Sequence, residues 1–487
     1  MSKHQNSYHD TIVAIATPPG RGGIGVVRLS GPEALATALL MFRFREAPHT
    51  RKRVEANALN FGTVVRMTAT SPENPPLSPF AKGGSTTIID HGYLVYFKAP
   101  NSYTGEDVVE LQLHGSPRVL QEVVQLCLAV GEGLVRPAEP GEFTRRAFVQ
   151  GKMDLTEAEG VADLIDAQTM EAGRLASRQV QGELHAAIMA IREPLVGLLA
   201  QVQGDLNFPE DGIPAIALRA LRIGIQKGLA SLGALIERSQ HSWVYRDGLR
   251  VAIIGFPNEG KSSLFNALLG RDRAIVSAIS GTTRDAIEDL VDIAGVPVIF
   301  TDTAGLTRSD DELERAGVER SVRAIRETDI IILVVDARDG DEGERLFWET
   351  VDPAIGEEIR QHRIIRVGNK IDLLRKPSPA RWRADEAWVS ARQGKHIDRL
   401  RKLLVKEYLD GTVERGDLAV TNVRHMHLLT EAHQSLVDAA AALESGLDTD
   451  TISVDIDQAV SLLGEIIGIE VSEELLEQIF SRFCIGK

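Results

Sequence analysis

Apolar positions recur along this chain in two rhythms, and the rhythm changes more than once. From Thr11 to about Gln150, short apolar or alternating runs at Thr11–Ala16, Gly25–Leu29, Tyr93–Phe97 and Val108–His114 predict strands. Pro117–Val130, with proline at its first turn, predicts a helix. The pattern is that of an α+β domain. Pro, Gly and Ser cluster at Ser71–Thr87 and predict an exposed insertion loop without chemistry of its own. From Gly151 the period lengthens to that of a helix. Thr156–Glu159 (TEAE) fits a capping box ahead of apolar Val161, Leu164 and Ile165. Leu184, Ile188, Ile191, Leu195, Leu198, Leu199 and Val202 then make one continuous stripe. Helical patterning persists to about Trp243 and returns from about Asp410 to the end, where Leu475, Leu476, Ile479, Phe480 and Phe483 share a face.

Between the helical stretches, short apolar strands alternate with helices: Arg250–Ile254, Val298–Thr301, Ile330–Asp336, Arg363–Val367 and Ala387–Val389. The Ala294-Gly295 turn between Val291 and Val296 predicts one hairpin. This middle stretch reads as a mostly parallel α/β sheet with one antiparallel strand, inserted into a helical domain. The expected layout is an α+β domain at 1–150, an all-α helical domain in two segments at 151–248 and 411–487, and an α/β domain at 249–410.

A length of 487 residues agrees with about three domains. The net charge of −15 and an aromatic content of 5% argue against a protein that coats nucleic acid or stacks many bases. The segment from Gly411 carries fourteen acidic and four basic side chains, so most of that charge sits in one helical region. The basic cluster Arg43, Arg45, Arg51, Lys52 and Arg53 reads either as a local nucleic-acid contact or as a solvated loop or partner surface. Two cysteines, Cys127 and Cys484, exclude a disulfide framework and a four-cysteine metal site. No apolar run reaches about 18 residues and no export signal opens the chain, so a cytoplasmic protein is expected.

The chemistry lies in the middle stretch. Gly255–Ser262 (GFPNEGKS) follows a strand, opens a helix and matches the phosphate-loop pattern. Backbone N–H groups of Asn258, Glu259, Gly260, Lys261, Ser262 and Ser263 would wrap phosphates. The Lys261 ammonium would reach the terminal ones, and the Ser262 hydroxyl would ligate Mg²⁺. Asp302-Thr303-Ala304-Gly305 ends the next strand, with Asp302 placed to hold Mg²⁺ through water and Gly305 N–H to bond a γ-phosphate. Asn369-Lys370-Ile371-Asp372 ends another. The Asp372 carboxylate accepts two donors from a guanine edge, which adenine cannot supply, so GTP is favoured over ATP. Ser390-Ala391 would bring a backbone N–H to the guanine oxygen. In their order and placement at strand ends, these motifs resemble those of the translation-factor-like class of GTPases.

The hydrolytic step has a gap. The residue after Gly305 is Leu306, which cannot orient water, and no arginine finger is identifiable from spacing. Glu314 could orient the water, although among Asp310, Asp311 and Glu312 it also reads as a solvated charge. Asn258 could ligate a monovalent cation where an arginine finger would act.

With the motifs assembled, the chain resembles the MnmE (TrmE) family of tRNA uridine-modification GTPases. The resemblance rests on GFPNEGKSS at Gly255–Ser263, GTTRD at Gly281–Asp285, DTAGL at Asp302–Leu306 and the last four residues, Cys484-Ile485-Gly486-Lys487. It extends to Ala16–Gly25, Ser102–Leu113 and Pro140–Leu155, with Ser71–Thr87 as an insertion. It implies an N-terminal folate-binding domain that dimerises, and K⁺ in place of an arginine finger. The matching K⁺ positions are Asn258, Ser277, Ile279 and Thr282; Thr283 matches a Mg²⁺ ligand and Glu314 the water-orienting residue. For 5-formyl- or methylene-tetrahydrofolate, the matching positions are Arg28, Glu110, Lys152 and Lys487. Glu110 is suited to a pterin edge, and Arg28 and Lys152 to the glutamate-tail carboxylates. The resemblance also implies a role for Cys484, and a FAD-dependent partner (MnmG, or GidA). That partner and a homodimer of the chain would build an aminomethyl-type group on C5 of wobble uridines in tRNA. Cys127 reads as core. The rival is a regulatory or ribosome-assembly GTPase switch without tRNA chemistry, which would need an appended RNA-binding module; an acidic helical tail stands there instead.

Overall fold

A computed structural model describes residues 10–45, 54–68, 85–207, 218–270, 289–301, 322–374 apart from 324, 383–409 and 419–487. It divides into two compact units, Met1–Ala162 with Gly464–Lys487, and Asp163–Leu463. The C-terminal segment expected at 411–487 is thus shared: its last part packs with the N-terminal unit.

In the first unit the strands are β1 (Thr11–Ile15), β2 (Gly22–Ser30), β3 (Phe42–Phe44), β4 (Asn60–Thr68), β5 (Ser85–Phe97), β6 (Val108–Gly115) and β7 (Val135–Pro137). They form one sheet in the order β3-β4-β5-β6-β2-β1-β7, antiparallel except for the β1–β7 pair. Helices α1 (Ala34–Met41) and α2 (Pro117–Val130) cover it through Ala38, Met41, Leu120, Val123 and Cys127. Cys127 is fully buried, as expected, and burial pushes its thiol up to about 12. Within Ser71–Thr87, residues 85–87 begin β5 rather than lying in a loop; the remainder falls outside the described residues.

Helices α3 (Glu142–Val149) and α4 (Leu155–Asp166) follow. The capping box of α4 sits two residues earlier than predicted. Asp154 Oδ1 accepts from Glu157 N–H at 3.0 Å and Glu157 Oε2 from Asp154 N–H at 2.8 Å, because a carboxylate just ahead of the first turn reaches the free amides better than Thr156 inside it. The buried face of α4 carries Leu155 and Ala158, whereas Leu164 and Ile165 are exposed.

The second unit continues with α5 (Met170–Val180), α6 (Glu183–Asn207), α7 (Leu218–Ser239) and α8 (Trp243–Asp247). Its sheet runs β13 (Glu386–Trp388), β12 (Arg363–Asn369), β11 (Ile330–Asp336), β8 (Leu249–Ile254), β10 (Val296–Thr301), β9 (Asp289–Ile293). All neighbours are parallel except β9 and β10, whose hairpin turns at Ala294-Gly295 as expected. Strand β11 is buried along its whole length, as a central parallel strand covered on both faces should be. Helices α9 (Lys261–Leu269), α10 (Gly340–Thr350), α11 (Pro353–Arg360) and α12 (Ile397–Leu409) accompany the sheet. After it come α13 (Val423–Glu444) and α14 (Thr449–Ile467), and α15 (Glu473–Phe480) belongs to the first unit.

The predicted α6 stripe is buried at Leu184, Ile188, Ile191, Leu195, Leu199 and Val202. Helix α7 packs on both α6 and α13, burying Leu221, Ile225, Leu232 and Leu436, so helices from before and after the α/β sheet share a core. Thr169 ties helix to sheet: its hydroxyl accepts from Ala172 N–H at 3.1 Å at the start of α5 and donates to Gly295 O at 2.7 Å. Among the described residues, no helix is long and apolar enough to cross a membrane.

Candidate functional site

The phosphate loop joins β8 to α9. Gly260, just before α9, has φ +90° and no side-chain cap, so the amides of the first helical turn remain available to an anion. A Cβ at Gly260 would stand 2.5 Å from Asn369 Nδ2, so glycine alone lets the loop close against the neighbouring strand end. Ser262, the expected Mg²⁺ ligand, and Ser263 are exposed on that first turn.

Asn369 clamps the loop. Its Nδ2 donates to Glu259 O at 2.9 Å, while its Oδ1 accepts from Lys370 N–H at 2.8 Å and Ala391 N–H at 3.1 Å. Asn369 is therefore a fastener between the loop and the base-binding strand ends. Lys370 Nζ donates to Asn258 O at 2.5 Å and to Asp336 Oδ2 at 2.8 Å. Ser390 Oγ donates to Asp372 Oδ1 at 2.5 Å and fixes the predicted guanine reader. The Ser390 amide donates to Lys395 O and the Ala391 amide to Asn369 Oδ1. The hydroxyl of Ser390, not its amide, is what bears on the reader. Asp336 was not anticipated, although an acid at the end of an apolar strand was the available signal.

Lys261 Nζ donates to Gly255 O at 2.9 Å and Phe256 O at 2.8 Å, and burial lowers its pKa despite nearby Glu259. Glu259 is 7% exposed and accepts from Phe256 N–H at 2.6 Å. Burial pushes its carboxyl up to about 7, against the opposing pull of that hydrogen bond and of Lys261. The folded protein therefore holds this proton more tightly than the unfolded chain does. Stability falls as pH rises from the ordinary value of 4.5 to about 7, and the full penalty is present above that. Glu259→Gln is expected to raise the thermal midpoint of the nucleotide-free protein at pH 8, by an equivalent of roughly 1–3 kcal/mol, and to have no such effect near pH 4. Equal midpoints at pH 8 would refute the buried charge.

Ser277, Ile279, Thr282, Thr283, Asp302, Thr303, Ala304, Gly305 and Glu314 lie outside the described residues.

A second cluster lies in the first unit. Arg28 and Glu110 face each other across β2 and β6, with Arg28 Nε and Nη2 both donating to Glu110 Oε1, at 3.0 and 2.9 Å. The two predicted folate residues are thus engaged with one another. Arg28 also lies over the rings of Tyr103 and Phe143, at 5.6 and 5.7 Å. The C-terminal residues thread in beside it. Phe143 N–H donates to Lys487 O at 3.2 Å, and Arg28 Nη1 donates to Gly486 O at 3.4 Å. Gly486 has φ +97°, and a Cβ there would stand 2.2 Å from Ile15 O, so the thread admits no side chain at that point. Burial and the Arg28 charge lower the Lys487 pKa, while Glu110 and Cys484 oppose them. Cys484 is exposed. Lys152 stands against Pro100, donating to its carbonyl at 3.1 Å, and no contact joins it to Arg28. In the basic cluster, Arg43 turns onto the carbonyls of Leu39, Leu40 and Phe42 at the end of α1, and Arg45 stacks on Phe61. Both are tied to their own domain; 51–53 lie outside the described residues.

A strand–loop–helix phosphate cradle, an asparagine clamp and a carboxylate reader at the ends of parallel strands define a P-loop GTPase. Comparison with known proteins is more specific. Residues 155–484 match a family model described as the MnmE helical domain, and residues 11–152 one described as the GTP-binding protein TrmE N-terminus. Proteins named tRNA modification GTPase MnmE from Aquifex aeolicus and Roseiflexus sp. are 39% and 38% identical over 98% and 99% of this chain and 100% of their own length. One from Synechococcus sp. (strain JA-3-3Ab) is 40% identical over 98% of both chains. Among solved structures, Era from Aquifex aeolicus covers 38% of this chain and 66% of its own at 26% identity, with a TM-score of 0.25, too low to bear on the fold. The chain belongs to the MnmE (TrmE) family of tRNA modification GTPases.

Proposed function

We propose that the chain is a K⁺-activated GTP hydrolase that works as a cytoplasmic homodimer with a FAD-dependent partner of the MnmG (GidA) type. Together they would add an aminomethyl or carboxymethylaminomethyl group to C5 of wobble uridine in tRNA, using a one-carbon unit from a reduced folate. The observation that carries the folate part is the convergence of Arg28, Glu110, Lys487 and Cys484 in one cluster beside aromatic Tyr103 and Phe143. Arg28 occupies one oxygen of Glu110, and the other oxygen would accept from a pterin edge. The tail carboxylates of folate would fall to Arg28 and Lys152, with Lys487 beside Arg28. The Cys484 thiol is exposed and lies close enough to Lys487 to act on its charge, which supports a role for it in the modification.

In the nucleotide site, Asn258 is exposed on the loop with φ +67°, and its side chain would ligate K⁺ together with Ser277, Ile279 and Thr282. Ser262 and Thr283 would hold Mg²⁺, and Glu314 would orient the attacking water. Bound K⁺ supplies the charge an arginine finger would bring. The division of labour follows the predicted domains, with folate and dimerisation at 1–150 and GTP at 249–410. GTP is not built into the product, so its hydrolysis would drive a rearrangement.

GTP turnover is expected to be fast in KCl and slow in NaCl; equal rates would remove the K⁺ assignment. For the whole reading, mass analysis of wobble nucleosides in tRNA from a deletion strain is expected to show the unmodified uridine. Normal modification there would reject it and return the chain to the regulatory-switch alternative.

A further inference from the structure

Asp336 is the last residue of β11, and the parallel register sets it beside Asn369 on β12. It is 4% exposed, yet its carboxylate is fully engaged. Oδ1 accepts from Arg338 N–H and Nε, both at 3.0 Å, and Oδ2 from Arg338 Nη2 at 2.7 Å and Lys370 Nζ at 2.8 Å. The two basic partners lead to different places. Arg338 is exposed and turns back on its own loop. Lys370 follows Asn369 in the left-handed region, at φ +67°, and its ammonium spans from Asp336 to Asn258 O in the phosphate loop.

A lysine side chain left to itself loses rotamer freedom when it is fixed. Here a buried carboxylate fixes it. Asn258 O accepts from that ammonium, so the curvature of the loop at a positive-φ residue is held from outside the loop. We propose that Asp336 is a positioning residue for nucleotide binding: it anchors Lys370, and through Lys370 it keeps the phosphate loop in its binding shape. The inference needs the guanine-nucleotide site and is independent of the K⁺ and folate readings. If Asp336 only closed the turn after β11, its contacts to Arg338 would carry the role, and the loop would not register its loss.

The test is the dissociation constant of fluorescently labelled GDP, measured by titration on the full chain for Asp336→Asn, Lys370→Met, the double variant and Arg338→Ala, with thermal midpoints alongside. Asp336→Asn is expected to weaken GDP about tenfold. In the Lys370→Met background the same change is expected to matter less than about twofold, because the group it positions is gone. Arg338→Ala removes the other partner and is expected to leave the affinity within about twofold. Should Asp336→Asn fail to fold, Asp336→Glu moves the charge by one methylene and is expected to weaken GDP only in the presence of Lys370. Unchanged affinity in Asp336→Asn would overturn the proposal. So would an equal loss with and without Lys370, or a loss in Arg338→Ala as large as that in Asp336→Asn.

Discussion

Asp372→Asn is expected to move nucleotide preference from GTP to xanthosine triphosphate. A guanine edge offers two donors to the carboxylate. An amide in its place offers one donor and one acceptor, which clashes with the guanine amine and matches the xanthine oxygen. A site built to hydrogen-bond one pattern rejects the other by as much as about 10⁴-fold, because a desolvated polar group is left unpaired. The structure adds a reason to expect a clean exchange. Ser390 Oγ donates to Asp372 Oδ1, and an asparagine oxygen can accept the same bond, so the side chain stays in place while its chemistry changes. Steady-state hydrolysis of both triphosphates is the measurement; an unchanged preference for GTP would remove Asp372 from the reading role.

Lys261→Met is expected to lower GTP turnover by about 10²–10³-fold, the usual scale for removing one preorganised donor from a developing charge. The methionine keeps most of the apolar stem, so packing at the start of α9 survives. What is lost is the ammonium that now donates to Gly255 O and Phe256 O. Turnover at saturating GTP, together with labelled-GTP binding, is the check. Wild-type turnover in a protein of normal thermal midpoint would place the catalytic charge elsewhere.

Much of the fold was legible because the two periodicities are strong where burial is one-sided or complete. Strand β11 reads as seven buried residues in a row, and the α6 stripe is buried nearly where the sequence placed it. Strand β4 was missed: Asn60–Thr68 holds Gly62 and polar positions, and it becomes a strand only by pairing along β5. The cap of α4 was misplaced because two acid-containing frames overlap there, and only geometry separates them. In the nucleotide site the motifs announced which residues gather, but not how they engage one another. The Arg28–Glu110 pair depends on a register between strands separated by most of the first unit. The Asp336–Lys370 pair likewise depends on the β11–β12 register. Burial of Glu259 beneath its own loop left no trace in composition or spacing.

The packing of α7 against α13 has a consequence for how the chain is made. A ribosome emits about 5–20 residues per second, and every strand of the second sheet is synthesised after α7 and before α13. The face of α7 that meets α13 therefore waits roughly 10–40 s for the helix that covers it. In that interval the nascent chain shows a helix with one apolar face uncovered, while the α/β domain behind it can already close on its own core. The helical layer is thus the last part of the second unit that can be completed during synthesis.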